Sequence, residues 1–250
     1  MMGTVFGGAA LVTLVLVVGV AGAFLWALSR SALDNVPRAL GIAQRVAWVV
    51  AAATAAAALF GLVSDLISPA VTMTVPLRLP LPLHIPQLTT EGSPARIESS
   101  GLVLAELSLG HIALPTRALW AFGQALITLM PTSLSVLVAV ACSRLRDGRP
   151  FSTVLTRLAK LAAAFVLLAG FLGQALRGVA GSMASYQALS YSSAAWTGYP
   201  EDFDLADVLP EPTVFVPLDF WPLGAAIGLL ILTALLARGT HLQNDTEGLV

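Results

Sequence analysis

The chain has 250 residues and a formal net charge of −1; 57% of its residues are hydrophobic and only 11% are charged. Soluble domains carry about 25% charged residues, so this composition excludes an ordinary soluble protein. The near-zero charge supplies no basic face for nucleic acid, and we expect no direct nucleic-acid binding. A single cysteine, Cys142, excludes an internal disulfide.

Five stretches without charged side chains are long enough, or nearly so, to cross a bilayer: 1–29, 46–64, 118–143, 161–176 and 220–237. A helix rises about 1.5 Å per residue, so about 20 apolar residues match a hydrocarbon core of about 30 Å. Boundary charges such as Arg177 and Asp219 are expected to snorkel towards water. The pattern therefore predicts an all-α membrane protein, a five-helix transmembrane bundle forming one integral membrane domain over 1–250. The predicted helices lie near 4–29, 44–66, 117–143, 153–178 and 219–238.

The first stretch has no basic start and no clear cleavage site, so we expect a retained helix and not a signal peptide. The basic residues then orient the chain, because positively charged loops stay in the cytoplasm. Nine of the 13 fall on one side of the predicted spans: Arg30, Arg38, Arg45, Arg144, Arg146, Arg149, Arg157, Lys160 and Arg238. This distribution predicts a multi-pass cell-membrane protein with its N-terminus outside and its C-terminus in the cytoplasm.

The predicted extracytoplasmic segments, 67–116 and 179–218, show signs of a small β-containing cap. From 71 to 85 apolar residues alternate strictly with polar residues and prolines, which indicates an extended strand with one apolar face. Every proline in this run stands at an even position, so all the lost N–H donors belong to one edge of the strand. We therefore predict an edge strand, with 95–99, 102–109 and 213–216 as its partners. Such a cap either binds a ligand or only covers the helices, and the sequence favours the second interpretation.

The predicted spans contain few polar side chains. The helix interiors contain no Asp, Glu, Arg or His, which gives no support to an ion path or proton relay. Gln124 and Gln174 are predicted to form an interhelical polar pair. Small residues also recur at helical spacing and permit close packing within the bundle or against another subunit: Ala57 with Gly61, Ala169 with Gly173, and Gly224 with Gly228.

The sequence offers no pattern typical of a catalytic, cofactor or metal site. No serine-hydrolase elbow, zinc-protease, Walker A or dinucleotide motif occurs. Neither His84 nor His111 has a second ligand at the spacing typical of zinc, and the acidic run 201–211 lacks the glycine of a calcium-binding EF-hand. We therefore predict a protein that is not an enzyme and has no cofactor. The alternative, an enzyme acting on a lipid at the outer face, needs His84 or His111 beside a carboxylate.

The segment between the third and fourth spans predicts a tight turn. Asp147-Gly148 should end one helix, since glycine accepts the left-handed conformation of a helix stop. Pro150 precludes continuation, and Ser152 can cap the next helix.

The run 144–152 (RLRDGRPFS) and the ending 238–250 (RGTHLQNDTEGLV) resemble a bacterial membrane family described as domain of unknown function 2975, over about 45–250. The resemblance implies a four-helix protein with both termini inside, to which this chain adds one helix. Family members often accompany a small helix-turn-helix regulator, which implies a regulatory role. Candidate partner-contacting residues are Arg146, Gly148, Pro150, Phe151, Asp245, Glu247, Gly248 and Leu249.

Two hypotheses follow. The first is a non-enzymatic regulatory or sensory membrane protein that acts with a cytosolic helix-turn-helix regulator. The alternative is an accessory subunit of a larger membrane complex, such as a transporter or respiratory assembly. The expected partners are membrane lipid together with a cytosolic regulator or other membrane subunits.

Overall fold

A computed structural model describes residues 36–79, 101–148, 152–191 and 209–247, without the side chains of 36–37 and 240–247. These residues form four helices and three strands. The helices are α1 (Val36–Ile67), α2 (Leu114–Arg146), α3 (Thr153–Leu189) and α4 (Trp221–Glu247). The strands are β1 (Ala70–Arg78), β2 (Leu102–Gly110) and β3 (Glu211–Pro212).

All four helices are long and apolar enough to cross a membrane. They correspond to the second to fifth predicted spans, whereas the first predicted span lies outside the described residues, so the five-helix bundle stays a prediction. Each helix ends later than predicted, most of all α3, which begins at the predicted residue and continues from the predicted end at 178 to Leu189. Helix α4 begins two residues later than predicted, at Trp221. The prediction followed apolar character alone, and the extension of α3 is held by contacts with the sheet.

The turn between α2 and α3 has the predicted ends. Gly148 has a φ of 69°, and its N–H donates to Leu145 O at 3.2 Å, so the helix stops where expected. Ser152 accepts a hydrogen bond at its Oγ from the backbone N–H of Leu155 at 3.3 Å, which confirms the predicted cap.

The three strands form a sheet in the order β2-β1-β3. β1 pairs antiparallel with β2 in a register that runs from Ala70↔Gly110 to Arg78↔Leu102. The predicted alternation is confirmed from Val71 to Val75, where Val71, Met73 and Val75 are buried while their polar neighbours are less so. It fails at Pro76, which is buried as well. The rest of the predicted strand and its predicted partner 95–99 lie outside the described residues.

Two details of the predicted sheet are wrong. β1 is the middle strand and not an edge strand, although β3 covers only its last two residues. The segment 213–216 is not a strand, because serines of α3 take the N–H groups that a ladder would need. Thr213 N donates to Ser185 Oγ at 3.2 Å, and Phe215 N donates to Ser182 Oγ at 3.1 Å.

The described residues divide into two compact units, and the first contains 36–56, 130–148, 152–167 and 223–247. Leu137, Leu155, Ala159 and Ala162 form its buried cluster, against which Leu229 packs. The hydroxyls of Thr54 and Thr132 are 2.7 Å apart, which joins α1 to α2 beside Pro131.

The second unit contains 57–79, 101–129, 168–191 and 209–222. Val71, Met73 and Val75 of β1 form a buried cluster with Trp120 of α2 and with Ala180 and Ala184 of α3. β1 also approaches α3 closely at its edge, because a Cβ placed on Gly181 would overlap the Thr74 carbonyl oxygen. Helices α2 and α3 meet at Gly123 and Gly173, where an added Cβ would lie 2.8–2.9 Å from the opposite carbonyl oxygen.

Candidate functional site

The second unit contains a cleft of about 150 Å³ with walls from two helices, two strands and the segment before α4. The ten lining residues are Thr74, Pro76, Leu104, Trp120, Gln174, Arg177, Gly178, Phe215, Pro217 and Asp219. Small residues bring these elements together. Gly178 allows the segment before α4 to lie on α3, since an added Cβ would stand 2.7 Å from Val216 Cγ1. The cleft is therefore a consequence of the same close packing that holds the sheet on α3.

Arg177 supplies the positive charge of the cleft. Its Cζ lies 4.9 Å from the ring centroid of the buried Trp120, a distance typical of a cation–π contact. In the part of the chain that the structure describes, no hydrogen bond or ion pair engages the guanidinium. The ring holds the cation in place electrostatically and leaves its N–H donors to whatever enters the cleft.

Asp219 supplies a negative charge to the same cleft, and its backbone is fixed by Gln174. The Gln174 side chain donates from Nε2 to Asp219 O at 3.3 Å and accepts at Oε1 from Asp219 N at 2.5 Å. These two bonds involve only the Asp219 backbone. The carboxylate is therefore positioned without being neutralised by the residue that holds it.

The predicted hydrogen bond between Gln124 and Gln174 is absent from the structure. Both ends of the Gln174 amide are engaged by the Asp219 backbone, and Gln124 Oε1 is buried without a hydrogen-bond partner. The N–H and C=O groups of Asp219 are spaced so that one glutamine amide can bind both. To pair with Gln174, the Gln124 side chain would have to displace these backbone groups. Gln174 thus fastens the cleft, and does not link α3 to α2.

The charges around the cleft are mixed in sign. Arg177 and Asp219 both line it, yet they form no ion pair within the described residues. The exposed Glu106 of β2, which pairs with Thr74 in the sheet, also acts electrostatically on Arg177. The arrangement can bind a small group that carries a negative and a positive charge at separate atoms.

The predicted partner-contacting residues are only partly described. Arg146 donates from Nη1 to Gln44 Oε1 at 3.0 Å, so it joins the end of α2 to α1. Gly148 forms the helix stop described above. The backbones of Asp245 and Glu247 belong to α4, so the tail that the sequence placed beyond 238 is helical to Glu247. The remaining candidates, Pro150, Phe151, Gly248 and Leu249, lie outside the described residues.

The histidines and acidic residues form no cluster in the described ranges. No group of three or more His, Cys, Asp or Glu side chains there could hold a metal ion. His111 is exposed in the turn between β2 and α2, with a φ of 56°. His84 and 201–207 lie outside the description, as does the side chain of His241. Cys142 is buried.

Sequence reasoning missed the cleft because its parts come from distant positions. Arg177 and Asp219 did carry a signal, since each stands at the end of an uncharged stretch, but that signal predicted only snorkelling. Trp120 gave no sign of its contact with Arg177, because a tryptophan near a helix end is typical of any membrane interface.

Comparison of the chain with protein-family models, curated proteins and solved structures gives no significant match. The resemblance to the family of unknown function stays a prediction from the motifs quoted above.

Proposed function

We propose that the protein is a non-enzymatic sensory or regulatory membrane protein that binds its signal in the Arg177 cleft. The observation that carries this proposal is an arginine of a membrane-length helix that lines a cleft without a hydrogen bond or ion pair to the described protein. An arginine at the end of an apolar span ordinarily turns its charge towards water, whereas this guanidinium lines a cleft against Trp120. The described residues bring no nucleophile and base together here, which favours binding over catalysis.

The signal would reach the cytoplasm through the helices that line the cleft. Arg177 and Trp120 belong to α3 and α2, and the basic turn joins the other ends of the same two helices. A ligand at the cleft and a cytosolic partner at this turn would then bias the same helix pair. The resemblance suggests a helix-turn-helix regulator as that partner.

Replacing Arg177 with glutamine in the native cells tests this function. We expect the transcripts that change when the gene is deleted to change in the same direction in Arg177→Gln cells, at unchanged protein level in the membrane. Arg78→Gln, at the exposed end of β1 and outside the cleft, should match wild type. A wild-type transcript profile in Arg177→Gln cells would contradict the proposal, as would a deletion that changes no transcripts.

The proposed orientation places the α2–α3 turn and the C-terminus in the cytoplasm and the sheet outside. The described residues of the first unit carry seven basic side chains: Arg38, Arg45, Arg144, Arg146, Arg157, Lys160 and Arg238. Positive loops are retained inside, which supports this threading. Fusions after Gly148 and Val250 should fluoresce with a cytoplasmic reporter, and a fusion after Ser190 should be active only with a periplasmic or extracellular one. The reverse pattern would refute the orientation.

An accessory-subunit role is the second candidate, and the glycines of α4 favour it. A Cβ at Gly224 or Gly228 would meet no described atom within 4 Å, whereas Gly173 is packed inside the chain. Such an open small-residue face suits close approach by another helix. Mass measurement after gentle detergent extraction distinguishes the roles, since an accessory subunit should co-purify with other subunits at fixed stoichiometry.

A further inference from the structure

In the proposed threading, the cleft lies at the depth of lipid headgroups. Arg177 directly follows the uncharged stretch 161–176, and Asp219 directly precedes the stretch 220–237. Both charges therefore stand at the same boundary between hydrocarbon and water. Phe220 and Trp221 are 71% and 52% exposed, and exposed aromatic side chains are typical of this interface.

The size of the cleft limits what it can accept. Pockets for drug-sized ligands measure about 300–1,000 Å³, whereas this cleft measures about 150 Å³. It can therefore take a headgroup or a molecule of similar size. Its apolar lining, including Leu104 and Phe215, suits the carbon atoms of such a group.

The charges of Arg177 and Asp219 determine which lipid headgroups the cleft can bind. The guanidinium of Arg177 matches a phosphate, to which arginine donates two parallel hydrogen bonds. A simple anion would meet the Asp219 carboxylate in the same cleft and the field of Glu106. A phosphate linked to a primary ammonium satisfies both signs, since the ammonium can donate hydrogen bonds to Asp219. A trimethylammonium group cannot donate, and a glycerol headgroup has no cation.

The geometry points to a binding site for a phosphoethanolamine group, with its phosphate on Arg177 and its ammonium on Asp219. This inference rests on the proposed function, because it names the ligand class of the same cleft. Phosphatidylethanolamine and free phosphoethanolamine share the chemistry. At headgroup depth, phosphatidylethanolamine is the more abundant source of this group.

Competition between lipids tests the inference on the purified full-length protein. The protein in detergent receives equal amounts of phosphatidylethanolamine, phosphatidylglycerol and phosphatidylcholine, and native mass spectrometry counts the bound lipids. We expect about tenfold preference for phosphatidylethanolamine, since a hydrogen bond to a charged group changes affinity by on the order of ten- to a hundredfold. Excess free phosphoethanolamine is a separate arm. Displacement by it assigns the site to the soluble zwitterion, and no displacement assigns it to the lipid.

Variants separate the two charges. Asp219→Asn keeps the backbone bonds to Gln174 and should reduce phosphatidylethanolamine to the level of the other lipids. Arg177→Gln should weaken all three lipids, and Arg177→Lys should retain part of the binding. Arg78→Gln is the matched control and should behave as wild type. Circular dichroism and gel filtration verify that each variant is folded.

Two results would overturn the inference: equal binding of phosphatidylethanolamine and phosphatidylglycerol by the wild type, or an unchanged preference in Asp219→Asn. Either would leave the sensory proposal standing if Arg177→Gln still altered transcripts. Conversely, the lipid preference without any transcript effect would refute the sensory role and keep the binding site.

Discussion

Replacing Gly181 with alanine should lower the apparent melting temperature of the detergent-purified protein by about 2–12 °C. The new Cβ would overlap the Thr74 carbonyl oxygen, which is backbone and cannot rotate away. Overpacking of this kind costs about 1–3 kcal/mol, and a chain of this size loses about 2–4 °C per kcal/mol. β1 would have to move off α3, so the cleft should loosen as well. Thermal unfolding followed by circular dichroism measures the effect.

Gly224→Ala is the matched control for this substitution. Both glycines lie inside long helices, but a Cβ at position 224 would meet none of the described atoms within 4 Å. Alanine there should be neutral or stabilising by about 0.5–1 kcal/mol, since glycine is the poorer helix former. Equal melting temperatures for the two variants would show that β1 does not rest on α3 at Gly181.

Replacing Ser185 with alanine should lower the free energy of unfolding by about 2–4 kcal/mol. Its buried hydroxyl donates to Pro76 O at 2.6 Å and accepts from Thr213 N at 3.2 Å, so one oxygen joins β1 to the segment before α4. Alanine would leave both backbone groups unpaired, and each unsatisfied buried group costs about 1–3 kcal/mol. Chemical unfolding in mixed micelles measures the loss.

Ser108→Ala on β2 provides the comparison, because Ser108 is exposed and should change stability by less than about 0.5 kcal/mol. Equal free energies of unfolding for Ser185→Ala and Ser108→Ala would contradict this prediction and would mean that water replaces both lost hydrogen bonds. Exchange of the Thr213 amide proton would then be unprotected, which hydrogen-exchange mass spectrometry detects.

Local signals in the sequence were sufficient for several elements. The alternation from Val71 onwards predicted the buried odd-numbered side chains of β1, because a strand has a period of two, but it did not predict the burial of Pro76. Gly148 and Ser152 located the turn between α2 and α3, since a left-handed glycine and a serine cap act within a few residues. Uncharged length alone located the four described helices.

Features that depend on contacts between residues far apart in the chain could not be predicted from the sequence. α3 continues to Leu189 because Gly181, Ser182 and Ser185 contact the backbone of β1 and of the segment before α4. In the sequence, such small residues resemble the end of an apolar span. The same serines make 213–216 a docked segment and not a strand. Gln174 pairs with backbone, which no comparison of side chains along the sequence could reveal.

Pro76 limits how the sheet can grow. It has no N–H, and its carbonyl is occupied by Ser185, while the neighbouring Thr74 carbonyl lies against Gly181. No further strand can be recruited along this flank of β1 beyond the two residues of β3. Any added strand that pairs over more than the two-residue length of β3, from this chain or from a second molecule, must therefore lie beside β2, so the sheet can grow substantially on one side only.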